Sequence, residues 1–131
     1  MRLLGDRSAR VRVAAAGALG RTGDPYAAAL LLAAMEGRRA LPLDVVAAAI
    51  LETGEPPANL LSQGLRSSSA PARALTAELL GAYQVMPATA ELAHALAHDE
   101  CPDVRLRAAG ALARIDTEEA AQALSQAELF T

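Results

Sequence analysis

The sequence predicts an all-α solenoid of stacked helix pairs, and three observations carry that prediction. Of its 131 residues, 33 are Ala and 21 are Leu, while only Tyr26, Tyr83 and Phe130 are aromatic. Such a composition favours helix and lacks the β-branched and aromatic residues that fill strands. Second, the segment from Val11 to Arg21 recurs from Val104 to Arg114, with eight of eleven positions identical at an offset of 93. Third, two looser copies lie between them. Val45 to Gly54 overlays Ala14 to Gly23 at an offset of 31, and Ala72 to Gly81 overlays Val11 to Gly20 at an offset of 61. A period near 31 residues describes four units that must stack to share one core, because none can bury its apolar face alone.

Each unit divides into two helices at residues with a capping mechanism. Asp24-Pro25 reads as an N-cap followed by Pro at the first helical position, where a missing N–H costs nothing. Pro57, Pro87 and a capping box of Asp116 with Glu119 mark the equivalent starts. Pro42, Pro71 and Pro102 open the alternating helices. The predicted helices are 8–21, 25–36, 42–53, 57–65, 71–83, 87–98, 102–115 and 118–129. Short connections rich in Gly, Ser and Pro make consecutive helices antiparallel. The prediction is a right-handed α-α superhelix of about eight helices in four antiparallel pairs, with residues 1–131 forming one repeat domain.

Charge and cysteine content narrow the function classes. The net charge is −3, which disfavours a general nucleic-acid binder, since that needs a basic footprint to displace counterions. Cys101 is the lone cysteine, so no internal disulfide forms and nothing points to an oxidising compartment. The longest wholly apolar run, Ala27 to Met35, is far below the ~20 residues of a membrane span. The opening Met1 to Asp6 turns polar too early for a signal peptide. The expected location is cytoplasmic.

The recurring pattern Asp-x5-Val/Arg-x2-Ala-Ala-x-Ala-Leu resembles HEAT repeats, in the short bacterial form also found in phycobilin lyases. Asp6 with Arg12 and Asp99 with Arg105 keep the six-residue spacing of that pattern. The resemblance implies that such residues form a structural ladder, the Asp of one turn bonding Arg and backbone groups of the neighbouring unit. The middle copies depart from it: the second has Gly37 and Leu43 in those places, and the third has Ser67 but keeps Arg73. The family includes a di-iron hydroxylase whose repeats carry His-Glu dipeptides, and this chain has none. Fold is therefore implied and activity is not, because these arrays serve unrelated roles.

Two stripes run along the second helix of each unit. Val11, Ala15, Ala18 and Leu19 share one face, as do Val46, Ala49 and Ile50, then Ala72, Thr76, Leu79 and Leu80, then Val104, Ala108, Ala111 and Leu112. This stripe is the predicted core. About 100° round each helix lies a second stripe: Arg10, Ala14, Gly17 and Arg21; Leu41, Val45, Ala48 and Glu52; Pro71, Leu75, Glu78 and Ala82; Asp103, Arg107, Gly110 and Arg114. In solenoids this face lines the concave surface and binds partners. It is expected to form a shallow arginine-flanked groove with Glu52 and Glu78 midway.

Chemistry-bearing constellations are few. Glu91, His94 and His98 fall on one helical face, and histidines four apart can share a metal ion, which makes them a weak metal candidate. Cys101 follows beyond the helix end, where it reads as an N-cap. There is no Gly-rich phosphate loop, nucleophile elbow, His-Glu-x2-His or Cys-x2-Cys motif. The sequence thus reads as a non-enzymatic scaffold that binds another protein on its concave face, without a cofactor. A nucleic-acid reader using Arg10, Arg21, Arg107 and Arg114 is the alternative, and a metal-dependent or lyase-type enzyme subunit is the third reading. Met1 to Asp6 resembles the last turn of a helix whose earlier turns are missing, so Leu3, Leu4, Val13 and Ala16 are expected to be poorly covered. That edge is expected to be covered by further repeats of a longer array or by self-association.

Overall fold

The structure, a computed structural model, describes residues 2–24, 26–53 and 58–129. Among them every regular element is helical. The α-helices are α1 (Ala9–Arg21), α2 (Ala27–Ala33), α3 (Leu43–Thr53), α4 (Ala58–Ser62), α5 (Ala70–Ala82), α6 (Thr89–His98), α7 (Pro102–Ile115) and α8 (Glu118–Leu129). Three 3₁₀ turns, Arg2–Gly5, Gln63–Arg66 and Met86–Ala88, precede α1, extend α4 and lead into α6. Helices α1, α3, α5 and α7 make one layer, and α2, α4, α6 and α8 make the other.

Local chemistry explains most starts. Ser8 Oγ accepts the Val11 N–H at the start of α1, and Ser69 Oγ accepts the Ala72 N–H at the start of α5. Pro71 and Pro102 stand in the first turn of their helices, as expected. Helix α2 starts later than predicted and stops earlier: Asp24 Oδ1 accepts the Tyr26 N–H in a turn, and Ala27 opens the helix. Pro25 and Pro57 lie outside the described residues. The predicted capping box at Asp116 is also revised. Asp116 takes a left-handed conformation (φ 52°) that ends α7, and Thr117 Oγ1 caps α8 by accepting the Ala120 N–H.

The core lies between the layers. Leu31, Ile50, Leu61, Leu80, Leu92 and Leu112 are its largest fully enclosed side chains, and the predicted core stripe is buried from α3 onward. In α1 it fails in part, since Val11 is half-buried and Ala18 exposed. The reason is positional: the equivalents of Ala18 in α3 and α7, Ala49 and Ala111, pack on the preceding helix of their layer, at Gly20 and Gly81. At the first edge, Leu3 (48 %) and Val13 (42 %) are exposed as predicted, but Leu4 and Ala16 are buried.

Candidate partner-binding face and the rungs beneath it

The open face of the α1/α3/α5/α7 layer carries most of the second stripe. Arg10, Ala14, Arg21, Glu52, Gly110 and Arg114 are exposed there, with Gly17, Val45, Glu78 and Arg107 half-buried. Two members of the stripe belong instead to the core, Leu41 and Leu75, at 3 % and 4 % exposure. Leu75, expected to contact a partner, is unavailable because it is enclosed in the hydrophobic core. Arg107 is not a free cation either. Its Nη1 donates to Glu78 Oε2 at 2.5 Å and its Nε to Asp103 Oδ1 at 3.5 Å, linking α7 to α5 across the face.

The expected helix-lowering glycines differ from one another. A Cβ at Gly110 would meet open space, and one at Gly17 only the Arg21 guanidinium. Neither is needed for close packing among the described residues. Glycine in a helix interior costs about 1 kcal/mol relative to alanine, and at Gly110 no internal contact offsets it.

The ladder follows only in part the plan the resemblance implies. Arg12 does not reach the Asp6 carboxylate; its Nη1 donates to the carbonyls of Asp6 (2.7 Å) and Arg7 (3.1 Å). Arg105 repeats this on Asp99 and Glu100, and Arg73 does so on Ser67. The acid two residues before each helix cap holds its own turn: Asp6 Oδ1 accepts the Ser8 N–H and Asp99 Oδ1 the Cys101 N–H, both at 2.9 Å. One rung then crosses between units as the resemblance implies, through Arg73 rather than Arg12 or Arg105. Arg73 Nε and Nη2 donate to Asp99 Oδ2 and Oδ1 at 2.9 and 3.3 Å, a bidentate pair with both side chains mostly enclosed. Burial pushes the Asp99 carboxyl up, but the Arg73 hydrogen bond, the Cys101 N–H and the Arg73 and Arg105 charges outweigh it. Its pKa is therefore held below the ordinary 3.8.

Between the second and third units a substitute rung appears. Glu36 Oε1 accepts the Ser67 hydroxyl (2.6 Å) and the Ser68 N–H (3.3 Å). Sequence reasoning missed it, and missed the Arg73–Asp99 pair. The signal for the pair was present, since Arg73 survives in a unit that has lost its own acid.

The weak metal candidates share a surface. His94 and His98 meet at a tilt with ring centroids 4.7 Å apart, and Glu91 faces Arg66 at 4.0 Å. With Arg73 and Asp99 they line an outer cleft of about 580 Å³ between the Gln63–Arg66 turn and α6. Among the described residues no three His, Cys, Asp or Glu groups are placed to hold an ion, and no helix is long and apolar enough to cross a membrane.

Two layers of antiparallel helices with a period near 31 residues define an α-α solenoid of short repeats. The chain belongs to the HEAT-repeat family. The HEAT-repeat family model matches residues 58–128, and that of the PBS lyase HEAT-like repeat matches residues 11–42. No curated protein matches the chain.

Proposed function

We propose that the protein is a non-enzymatic cytoplasmic interaction module that receives a segment of another protein on the open face of the α1/α3/α5/α7 layer. HEAT repeats generally mediate protein–protein contacts, and the chain belongs to that family. The observation that carries the choice of face is Gly110. It sits exposed in the interior of a 14-residue helix, costs that helix stability and is required by no neighbour among the described residues. A bare backbone position beside Arg114, matched by Gly17 beside Arg21, suits close approach by a partner backbone, with the arginines fixing its charged groups. Ala14, Gly17, Glu52, Gly110, Arg10, Arg21 and Arg114 form the working face. Arg107 and Glu78 brace its floor.

The test is affinity capture from source cells with the wild-type chain and with Arg21→Glu/Arg114→Glu. These two arginines are exposed and unpaired among the described residues, so the fold should survive their reversal. A protein held by the wild type and released by the double variant supports the reading. Retention by that variant, with loss on changing exposed Tyr26 and Ala90 of the other layer, overturns the choice of face.

A further inference from the structure

The first ladder position is a rung with its acid missing. In the completed rung, Arg73 Nε finds Asp99; Arg12, the equivalent residue of the first unit, has Gly37 where that acid belongs. Arg12 Nε is shielded from solvent and makes no hydrogen bond, alone in this among buried side-chain polar atoms of the described residues. A second guanidinium comes to the same place. Arg39 Nη1 donates to the Gly5 carbonyl at 3.0 Å, next along the backbone from the Asp6 carbonyl that Arg12 holds. Arg7, whose carbonyl Arg12 also holds, and Arg38, next to Arg39, lie nearby, and none of the four arginines makes an ion pair among the described residues. Asp6 has one oxygen engaged by Ser8 and, among the described residues, no arginine within salt-bridge distance.

The charge map of the whole chain points the same way. Residues 1–40 hold seven arginines and three acids, whereas residues 41–131 hold five arginines and twelve acids. A modest net charge hides two opposite halves. We propose that this edge of the first two units, centred on Arg12 and Arg39, docks an acidic protein segment, one carboxylate of which pairs with these two guanidiniums. A carboxylate is favoured over a phosphate because the completed rung in the same chain is a carboxylate rung. A long polyanion would also run into the acidic remainder of the molecule. The site lies on the ladder edge and not on the open face, so it stands or falls separately from the function proposed above.

The probe is a labelled peptide of about twelve residues alternating Asp and Ala, followed by fluorescence anisotropy in about 0.1 M salt, with a short duplex DNA as comparison. Arg39→Gln and Arg12→Lys should each weaken peptide binding by about fivefold or more, the second because lysine keeps the charge but loses the planar fork. Arg66→Gln, on the outer cleft, and Arg21→Glu/Arg114→Glu should leave it within about twofold. Since Arg12 also ties the turn before α1, melting curves accompany each variant. If Arg12→Lys proves unfolded, Arg39→Gln and Arg7→Gln decide. No measurable peptide binding, equal weakening by Arg66→Gln, full binding by a folded Arg12→Lys, or tighter binding of the DNA than of the peptide would each overturn the proposal.

Discussion

The α5–α7 junction and the α3–α5 junction join equivalent helices of successive units, yet they are built very differently. At the first, Gly81 brings the α5 backbone against Ala111, the Arg73–Asp99 pair ties one end and Gln84 Nε2 donates to the Arg114 carbonyl at the other. At the second, the position of Gly81 is taken by Leu51, whose side chain is 68 % exposed, and α3 meets α5 only sparsely. Its rung is the neutral Ser67 hydroxyl on Glu36. The comparison teaches that in this array one small residue sets how closely neighbouring helices approach, and one Arg–Asp pair fixes their register. Where both are lost, α4 with its 3₁₀ turn fills in, and a Cβ at Gly64 would strike Thr76 and Leu32.

The largest break should come from the rung itself. Asp99→Ala leaves a mostly enclosed Arg73 guanidinium without its acid and the Cys101 N–H without its acceptor, and should cost about 2–3 kcal/mol. Arg12→Met, in the unit whose rung has no acid, removes only two bonds to carbonyls and an unsatisfied Nε. It should cost about 1 kcal/mol or less. Urea midpoints at unchanged m-value measure both. Equal losses would show that the two rungs are equally complete and that the asymmetry has no energetic meaning.

Next is Gly81→Ala, whose Cβ would lie 2.6 Å from Ala111 Cα. Backbone must shift to admit it, so a loss of about 2 kcal/mol is expected. Leu51→Ala, at the same repeat position of the loose junction, should change stability by no more than about 0.5 kcal/mol because the leucine is mostly exposed. A thermal melt of the pair therefore reads out the difference between junctions directly.

Much of this was legible in the residues. The near-identical segments at Val11 and Val104 fixed period, helix pairing and the core stripe, and that stripe is buried wherever a preceding helix covers it. What periodicity could not supply was the neighbour. Ala18 has a core residue's spacing and an edge residue's exposure, while Leu75 has a surface residue's spacing and lies enclosed in α5. Cross-unit bonds were hidden for the same reason. Arg73 and Asp99 are 26 residues apart, and only the stacking brings them together. Helical spacing places Arg107 and Glu78 in one groove, but only the stacking shows Arg107 spent on Glu78 and Asp103.

Acid should sharpen the same contrast. The folded state holds Asp99 below its ordinary 3.8, so its carboxylate contributes stability that is fully present above the ordinary carboxyl range. That contribution is lost as the pH falls below 3.8 through the lowered folded value. The Asp99→Asn variant lacks this component, and its unfolding free energy should fall less steeply than the wild type's on acidification. Denaturant titrations across the acid limb check it; parallel curves would show that Asp99 does not carry the difference.

The smallest effect has the opposite sign and bears on function. Gly81 and Gly110 stand in neighbouring helices of one layer, but only Gly81 is packed against anything. Adding a methyl group at Gly110 meets nothing within 4 Å and relieves the conformational freedom of glycine in the unfolded chain. Gly110→Ala should therefore stabilise the protein by up to about 1 kcal/mol, as a raised melting temperature. If the open face receives a partner backbone at this point, the same variant should bind that partner more weakly while folding more firmly. Stability and binding moving in opposite directions would mark Gly110 as a position where helix propensity is given up for contact. Both rising together would show that the face is not approached there, and the proposed groove would have to lie elsewhere on the layer.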